Sequence, residues 1–280
     1  MAKSLKSARD LNVSIVLYKN DQSIQTTVNA VLDSNVNLQL YLIDNSPTDE
    51  LKYLASDPRI TYVFNNNNIG YGSGHNVAIN KSLEENTRYH LVMNPDINFE
   101  NNILADIISY MDGSPEVGSL MPKIFYGDGS VQRLCKLLPT PLNLIGRRFL
   151  GSLAWAQKKN QKYELQEFDY NSVLNTPSLS GCFMFIRTEV LRVSGLFDPR
   201  YFMYLEDYDL NRRIHRTFRT EFYPNVSVVH GYAKESYKNG ALMVAHMKSA
   251  IKYFNKWGWL IDSERANFNK KVLSEIKTAK

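Results

Sequence analysis

The first half of the chain alternates short apolar runs with segments of helical periodicity, and this alternation limits the fold more than any other feature. Four β-rich runs are predicted to be strands, at residues 13–18, 38–43, 60–64 and 90–93. Between the first two, apolar residues recur at helical spacing, as at Ile24, Val28 and Val31. Strands that alternate with helices in this way form βαβ units. We therefore predict an α/β fold with a mostly parallel, nucleotide-binding sheet flanked by helices.

The second half of the chain has a less regular pattern. Residues 117–126 and 179–186 are predicted to be strands, the second with Gly181 inside it. We find no internal repeat and no low-complexity segment. The chain is therefore expected to form one continuous globular unit.

Composition is that of a globular protein. The 280 residues can bury a sizeable core, and the hydrophobic and charged contents are 44% and 22%. Cys135 and Cys182 are too few for a disulfide framework or a cysteine metal site. No apolar stretch has the length of a membrane span and the polar start has no signal-peptide core, so we expect a cytoplasmic protein. The net charge of +5 favours an anionic substrate or an anionic membrane surface, and we expect no nucleic-acid partner.

Three carboxylates lie within an otherwise aromatic and apolar stretch. Glu206, Asp207 and Asp209 would be costly to bury there alone, so they indicate a metal ion, a basic partner or a general base. The alternative is an ordinary helix start, because acidic residues in a first turn complement the helix dipole. Arg212 and Arg213 would then pair with the acidic cluster or a phosphate, or lie on a solvated helix face.

A second acidic signal follows the fourth predicted strand. The apolar run ends abruptly at Asn94, Pro95 and Asp96. Because Pro95 prevents the strand from continuing inside a sheet, Asp96 is placed at the carboxyl end, where open α/β sheets bind ligands. Taken alone, an Asn-Pro-Asp sequence is also a common turn.

Alternate glycines precede the helix predicted at residues 77–83. Gly70, Gly72 and Gly74 would let backbone amides approach a phosphate closely at a helix start. A dinucleotide-binding motif is the rival interpretation, but its G-x-G-x-x-G spacing follows the first strand, whereas G-x-G-x-G follows the third strand here. A glycine-rich turn that only starts a helix is the simplest alternative.

Taken in order, these segments resemble the motifs of family 2 glycosyltransferases, and most closely those of the bacterial rhamnosyltransferase branch. The segments that carry the resemblance are residues 13–18, 43–46, 68–76, 94–96, 180–184 and 206–210. Each motif alone is weak, but their order and spacing make the resemblance specific. It implies a GT-A fold, a nucleotide-sugar donor, a divalent metal ion (Mg²⁺ or Mn²⁺) and inversion at the anomeric carbon.

The resemblance also implies roles for residues at the matching positions. Asp44 would hydrogen-bond the pyrimidine base, and Tyr18 would line the same pocket. Asp207 would be the general base, with Glu206 as its partner and as the alternative base. The loop that would close over the nucleoside and pyrophosphate contains Asn68, Gly70, Tyr71, Gly72 and Asn76.

The metal motif departs from the family pattern. The Asp-x-Asp sequence of the family is Asn94-Pro95-Asp96 here, so the resemblance implies a site with a single carboxylate ligand, Asp96. Asn94 would contact the donor instead. His230 lies at a predicted strand end, where a neutral imidazole would bind the metal or the diphosphate. A purely structural histidine is the alternative.

Membrane contact and domain organisation are also expected. The resemblance implies a GT-A domain at residues 1–236, with a nucleotide-sugar half at 10–115 and an acceptor and catalytic half at 116–236. Residues 237–280 are predicted to be a helical extension, which would contact the membrane or form a homodimer. At residues 134–159, basic and large apolar residues are interleaved, as in a segment that lies on an anionic membrane or in a packed helix with a basic face. Because the resemblance implies a lipid-linked acceptor, we expect peripheral binding to the cytoplasmic face of the inner membrane. The basic and aromatic residues concerned are Arg147, Arg148, Trp155, Lys158 and Lys159.

The expected function is transfer of L-rhamnose from dTDP-L-rhamnose to a glycan hydroxyl. The acceptor is expected to be carried on a polyprenyl diphosphate, in bacterial surface polysaccharide (O-antigen) synthesis. A UDP-hexose donor is the first alternative. A nucleotidyltransferase would need a glycine-rich, lysine-bearing loop after the first strand, and residues 18–21 contain no glycine. A non-catalytic glycan-binding protein would not need Asp96 and Asp207 together.

Overall fold

The computed structural model describes residues 9–146, 153–231 and 240–278. The elements of its first half are Leu11–Leu17 (β1), Ile24–Leu32 (α1), Leu38–Asp44 (β2), Ile60–Phe64 (β3), Tyr71–Glu85 (α2), Tyr89–Met93 (β4), Ile97–Asn98 (β5), Ile103–Gly113 (α3) and Val117–Phe125 (β6). Those of the second half are Ala154–Tyr163 (α4), Leu174–Asn175 (β7), Phe183–Arg187 (β8), Thr188–Ser194 (α5), Glu206–Ile214 (α6), Arg219–His230 (β9), Gly240–Trp257 (α7) and Ser263–Thr278 (α8). Short helical turns lie at Lys52–Ser56 and Leu142–Gly146.

A mixed sheet forms the centre of the described residues. Its strand order is β3-β2-β1-β4-β8-β6-β9-β5, with β7 also paired to β9. The strands β3, β2, β1 and β4 are parallel, as the alternation of strands and helices predicts. β8 is antiparallel to both of its neighbours, β4 and β6, whereas β6 and β9 are parallel to each other. The predicted α/β architecture is confirmed.

Burial explains why the first strands are so apolar. β1 is buried along nearly its whole length, because helices cover both faces of this part of the sheet. α1 turns Ile24, Val28 and Val31 inward, each at most 1% exposed. Fully burying one such side chain contributes about 1.5–3 kcal/mol. The helical spacing read from the sequence is therefore the spacing of a buried stripe.

Strand register brings the site residues to one edge of the sheet. Leu17 pairs with Asp44 across β1 and β2, so these two strands end level with each other. Ile97 pairs with His230, which carries the end of β9 to the turn that follows β4. This is the carboxyl edge, where open α/β sheets bind ligands.

The strand predicted at residues 179–186 is wrong at its start. β8 begins at Phe183, and Gly181 lies in the turn before it. Backbone groups of this turn bond to side chains outside the sheet. The Gly181 N–H donates to the Asp207 carboxylate, and the Leu179 carbonyl accepts from Asn211. The turn is thus held by α6, which a single strand pattern does not reveal.

The two C-terminal helices share the core of the sheet. Tyr253 and Phe254 of α7 have no exposed surface, and Val272 of α8 is 1% exposed. All three belong to the same hydrophobic cluster as β1 and β4. Within the described ranges, no helix is long and apolar enough to cross a membrane.

Candidate active site

The turn after β1 presents an exposed aromatic ring at the carboxyl edge. Tyr18 is 47% exposed, and the backbone of Lys19 has φ of +56° as it leaves the strand. The Lys19 N–H donates to Ser46 Oγ at 2.8 Å, which ties this turn to the residues after β2. Tyr18 is therefore positioned beside the end of β2, and its predicted place in the base pocket stays a prediction.

Asp44 is buried at the end of β2, with 1% exposure. Its Oδ1 accepts from the backbone N–H of Ser46 at 2.8 Å, and its Oδ2 accepts from the Tyr62 hydroxyl at 2.5 Å. Burial, together with this hydrogen bond, raises the pKa of Tyr62 above its ordinary value, so the phenol keeps its proton. A carboxylate has about four acceptor positions, so capacity remains for a base N–H. Base binding by Asp44 stays a prediction.

The glycines after β3 are used for packing. α2 begins one residue before Gly72, so Gly72 and Gly74 lie in its first turn. The prediction that they form a loop is wrong. A Cβ on Gly72 would lie 2.8 Å from Phe197 Cβ, and a Cβ on Gly74 would lie 2.7 Å from a methyl group of Val16. Bare backbone is needed for α2 to approach β1 and the Phe197 segment, whereas phosphate contact by Gly70 and Gly72 stays a prediction.

Gly70 lies where the start of α2 meets the segment before α6. Its φ is +90°, and a Cβ there would lie 2.4 Å from the Phe202 carbonyl oxygen. The same carbonyl accepts the Tyr71 N–H at 2.9 Å, and Asn68 Oδ1 accepts the Gly70 N–H at 3.1 Å. Only glycine fits this position, for both conformational and steric reasons.

Two side chains of α2 tie the helix to the second half of the chain. Asn76 donates to the Phe197 carbonyl at 2.8 Å and accepts the Phe197 N–H at 3.1 Å, so its amide is already paired. The Tyr71 hydroxyl lies 3.0 Å from Asn94 Oδ1 and 2.8 Å from the Gly181 carbonyl oxygen. Both residues were predicted to contact the donor, and the structure gives both a connecting role that leaves that prediction untested.

Asp96 and His230 meet at the carboxyl edge, as the metal prediction requires. Asp96 Oδ1 lies 3.2 Å from His230 Nε2, and Asn94 Nδ2 lies 3.3 Å from the same nitrogen. The Gly231 N–H donates to the Asp96 carbonyl at 2.9 Å, which fixes the two segments together. The Asp96 side chain is 42% exposed and that of His230 is 6% exposed. The His230 side of the pair is thus buried, whereas the Asp96 carboxylate is exposed.

The His230 ring is held at both nitrogens. Its Nδ1 lies 3.0 Å from Gln132 Oε1. Burial alone would lower the pKa of His230, but the hydrogen bonds to Asp96 and Cys182 outweigh it and raise the pKa to about 9. The metal-free ring is therefore charged at neutral pH, and a bound cation would compete with the proton for the ring.

The donor set fits a divalent cation in kind. Carboxylate oxygen suits both Mg²⁺ and Mn²⁺, and an imidazole nitrogen is a ligand that transition ions accept more readily than Mg²⁺ does. Among the residues that the structure describes, no group of three His, Cys, Asp or Glu side chains is arranged to hold a metal. Asp96 and His230 would therefore share the cation with oxygens of the bound donor.

Asp207 is the second residue of α6 and is held by backbone donors. Its carboxylate accepts the N–H groups of Gly181 and Tyr208, both at 2.9 Å. The chain enters the helix through Tyr204 and Leu205, with φ of +70° and +67°. Side-chain-bearing residues adopt this conformation rarely, at a cost of about 1–3 kcal/mol each, and such residues cluster at functional sites. The backbone is thus strained at Tyr204 and Leu205, the two residues that lead into α6 and position Asp207.

Glu206 and Asp207 form a coupled acidic pair. Glu206 is 5% exposed, and its Oε2 has no hydrogen-bond partner among the described residues. Burial and the charge of Asp207 raise the pKa of Glu206 to about 8. Burial also raises the pKa of Asp207, but the N–H groups of Gly181 and Tyr208 oppose this increase. At neutral pH the proton therefore resides on Glu206 and the negative charge on Asp207.

The third carboxylate of this stretch, Asp209, has a structural role. It is completely buried and lies 2.9 Å from Arg213 Nη2, 2.6 Å from Lys256 Nζ and 2.9 Å from Trp257 Nε1. Arg213 therefore pairs with the acidic cluster, one of the two alternatives predicted for it. The partners on α7 lie almost fifty residues further along the chain, so no local sequence pattern indicates them.

Arg212 follows neither of its predicted alternatives. It is 1% exposed and forms ion pairs with Asp262 at 2.6 Å and Glu264 at 2.7 Å. Its guanidinium also lies 4.1 Å from the centre of the Trp257 ring. The solvated-face prediction is wrong for this residue, because the C-terminal helices cover it.

A sequence comparison identifies the family of this site. The model of glycosyl transferase family 2 matches residues 13–194, which extend from β1 to the end of α5. The chain belongs to glycosyl transferase family 2. The matched range contains the glycine segment, the Asn94-Pro95-Asp96 turn and the turn that holds Asp207, and it ends before Asp207 and His230.

Two curated relatives have comparable similarity to this family 2 chain. A low-salt glycan biosynthesis hexosyltransferase, Agl10 of Haloferax volcanii, is 27% identical over 208 residues, covering 74% of this chain and 62% of its own length. The N-acetylglucosaminyl-diphospho-decaprenol L-rhamnosyltransferase of Mycobacterium tuberculosis is 26% identical over 228 residues, covering 76% and 73%. The chain thus spans less than two thirds of the length of the first relative.

Solved structures establish the fold of this family 2 chain. A mannosyltransferase from Pyrobaculum calidifontis, PcManGT, crystallised with GDP-mannose and Mn²⁺, superposes with a TM-score of 0.55 at 16% identity. The match covers 98% of this chain and 76% of the mannosyltransferase. At this identity the likeness shows the fold alone, and the fold is GT-A.

Sequence reasoning missed Gln132 as a contributor to the candidate site. Gln132 contacts His230 across 98 positions of sequence. Nothing in the local pattern around Gln132 indicates this contact, because the residue is neither charged nor part of an apolar periodicity. Only the pairing of β6 with β9 brings the two side chains together.

Proposed function

We propose that this chain is an inverting glycosyltransferase that moves L-rhamnose from dTDP-L-rhamnose to a hydroxyl of a lipid-linked glycan. The observation that carries the proposal is that one side chain, Tyr71, contacts both the turn that carries Asp96 and the turn that holds Asp207. Its hydroxyl lies within hydrogen-bond distance of Asn94 and of Gly181, and Gly181 holds the Asp207 carboxylate. Glycosyl transfer needs a base at the acceptor and charge stabilisation at the leaving diphosphate.

The residues supply these functions as follows. Asp207 takes the proton from the acceptor hydroxyl as its oxygen attacks the anomeric carbon, on the face opposite the departing dTDP. The Gly181 N–H orients the carboxylate, and neutral Glu206 adds no second charge beside it. Asp96 and His230 would hold a divalent cation, which supplies charge stabilisation to the diphosphate when bound.

The relatives support two donor sugars. One is named an L-rhamnosyltransferase and the other a hexosyltransferase, so a UDP-hexose is the second candidate donor. Tyr18 and Asp44 would accept the pyrimidine base of either nucleotide. Turnover should be assayed with dTDP-L-rhamnose and a panel of UDP-hexoses, with and without a metal chelator. We expect turnover with dTDP-L-rhamnose that the chelator abolishes. Turnover with a UDP-hexose but not with dTDP-L-rhamnose would mean that the donor is the UDP-hexose. No turnover with any sugar nucleotide would contradict the proposal.

We also propose that the acceptor is reached at the inner membrane surface, through the exposed face of α4. Trp155 is 48% exposed, and Lys159 Nζ lies 5.4 Å from the centre of its ring. Lys158 is exposed on the same helix, and such basic and aromatic surfaces bind anionic lipids. Arg147 and Arg148 lie outside the described residues. Cys135, Leu137, Leu138 and Leu144, which also belong to the predicted membrane segment, are buried in the core.

A homodimer through the C-terminal helices is a separate proposal. Leu260 and Ile261, in the turn between α7 and α8, are 88% and 92% exposed. Adjacent apolar side chains with this exposure are candidates for an interface. Sedimentation analysis should show a dimer that changing both residues to Ser dissociates, and a monomeric wild-type protein would contradict this proposal.

A further inference from the structure

Gln132 is buried behind the His230 ring. It is 2% exposed, and its backbone N–H donates to the Ile124 carbonyl at 2.8 Å, beside β6. Its side-chain nitrogen donates to the His230 carbonyl at 3.1 Å and to the Phe125 carbonyl at 3.4 Å. Its side-chain oxygen lies 3.0 Å from His230 Nδ1. Both ends of the amide are thus paired inside the protein.

These contacts fix which way the amide points. Backbone carbonyls only accept hydrogen bonds, so the end of Gln132 that faces two carbonyls must be the nitrogen. The oxygen therefore faces His230, and His230 Nδ1 must carry a hydrogen to donate to it. The choice follows from donor and acceptor chemistry alone.

The opposite nitrogen of the ring then faces the proposed metal site. With Nδ1 as the donor, the lone pair of the neutral ring is on Nε2, which lies 3.2 Å from Asp96 Oδ1. Histidines that bind metals usually donate their other ring N–H to an oxygen, which fixes both tautomer and ring orientation. In this protein, the Gln132 side-chain oxygen is positioned to accept that hydrogen bond from His230 Nδ1.

We infer that Gln132 is a positioning residue that holds His230 in the tautomer whose Nε2 binds a divalent cation together with Asp96. This inference depends on the metal use included in the proposed function. Without Gln132, the neutral His230 ring could carry its hydrogen on Nε2 instead of Nδ1, and that hydrogen would block the metal-binding nitrogen. Loss of such a contact typically weakens metal affinity about 10- to 100-fold.

The test measures binding of Mn²⁺ itself to the full-length protein, by electron paramagnetic resonance of the free ion. Gln132→Leu removes the acceptor at similar size. Gln132→Glu, as the neutral acid, keeps an oxygen that accepts from Nδ1 and a hydroxyl that donates to the His230 carbonyl. Gln39→Leu is the matched control, because Gln39 lies on β2 and its side chain bonds only to Thr61 in the described structure. We expect about 10- to 100-fold weaker Mn²⁺ binding for Gln132→Leu, and binding within a few-fold of wild type for Gln132→Glu and Gln39→Leu. Thermal unfolding verifies that each variant is folded.

A double-mutant cycle separates positioning from general structural damage. In a His230→Ala background, Gln132→Leu should have no further effect on Mn²⁺ affinity, because its action passes through the ring. Equal Mn²⁺ affinity in wild type and Gln132→Leu would overturn the positioning role while leaving metal use intact. An additional loss in the His230→Ala background would overturn it as well. No Mn²⁺ binding by the wild type would overturn the inference together with the metal part of the proposed function, whereas turnover tests the transferase independently.

Discussion

At the scale of single residues, the candidate site depends on how burial divides charge between two adjacent carboxyl groups. Asp207 has two backbone donors and keeps the negative charge, whereas Glu206 has an oxygen without a partner in the described structure and keeps the proton. A general base must be ionised, so this division favours Asp207 for that role. It also means that Glu206 lowers the stability of the folded chain once the pH is high enough to ionise it.

Glu206→Gln should therefore change how stability depends on pH. The folded pKa of Glu206 is about 8 and its ordinary value is 4.5, so its contribution to stability is full below about pH 4.5 and is lost as the pH rises towards 8. A Gln side chain cannot ionise, so the variant does not lose this contribution to stability as the pH rises. We expect the free energy of unfolding of Glu206→Gln, relative to wild type, to increase between pH 5 and pH 8 by an amount on the order of a few kcal/mol.

Denaturant unfolding at several pH values measures this difference. Glu84→Gln is the control, because that side chain is 62% exposed on α2. A difference between Glu206→Gln and wild type that stays constant with pH would contradict the assigned proton.

At the scale of elements, the approach of α2 to the sheet determines the geometry of the site. The first turn of α2 lies so close to β1 that no side chain fits at Gly74. Tyr71 and Asn76 then connect the same helix to Gly181 and Phe197 in the second half of the chain. A shift of α2 would therefore move the proposed metal site relative to Asp207.

Gly74→Ala should destabilise the protein through crowding. The new Cβ would lie 2.7 Å from a Val16 methyl group, and such overpacking costs about 1–3 kcal/mol. Val16→Ala in the same chain should restore part of that stability, and donor affinity with it. Gly113→Ala at the end of α3, where a Cβ meets nothing within 4 Å, is the control. Weak donor binding in a stable double variant would instead assign the glycine to phosphate contact.

The elements also show how far the sequence could be interpreted. The first strands and the position of Asp96 were predictable, because buried parallel strands are continuous apolar runs that end at the ligand edge. The use of Gly72 was not predictable, since a bare backbone can face either a phosphate or a side chain such as Phe197. Ion pairs such as Arg212 with Asp262 were hidden for another reason, as they join segments fifty residues apart.

At the scale of the whole molecule, the C-terminal helices stabilise the element that contains the proposed base, Asp207. Lys256 and Trp257 of α7 hold Asp209, while Asp262 before α8 holds Arg212. These contacts fix α6 at Asp209 and Arg212, and Asp207 lies at the start of the same helix. The C-terminal region is therefore expected to be necessary for an ordered catalytic turn.

The membrane proposal also belongs to this scale. Lys158→Gln with Lys159→Gln should weaken binding to anionic vesicles, because each basic residue near such a surface contributes about 1 kcal/mol. Lys270→Gln with Lys271→Gln is the matched control, since these are adjacent exposed lysines on α8. Cosedimentation with vesicles measures both pairs. Equal losses for the two pairs, or none, would mean that the α4 face is not the membrane contact.

The most direct measurement is transfer from dTDP-L-rhamnose by wild type and by Asp207→Asn, with donor affinity determined in parallel. Asn keeps the size of the side chain but cannot take a proton, so we expect kcat to fall by about 10²- to 10⁴-fold while the donor Kd stays within a few-fold. Glu206→Gln should retain transfer at neutral pH, because it replaces a group that is already neutral. Transfer by Asp207→Asn near the wild-type rate, with loss in Glu206→Gln instead, would contradict the assignment of Asp207 as the base.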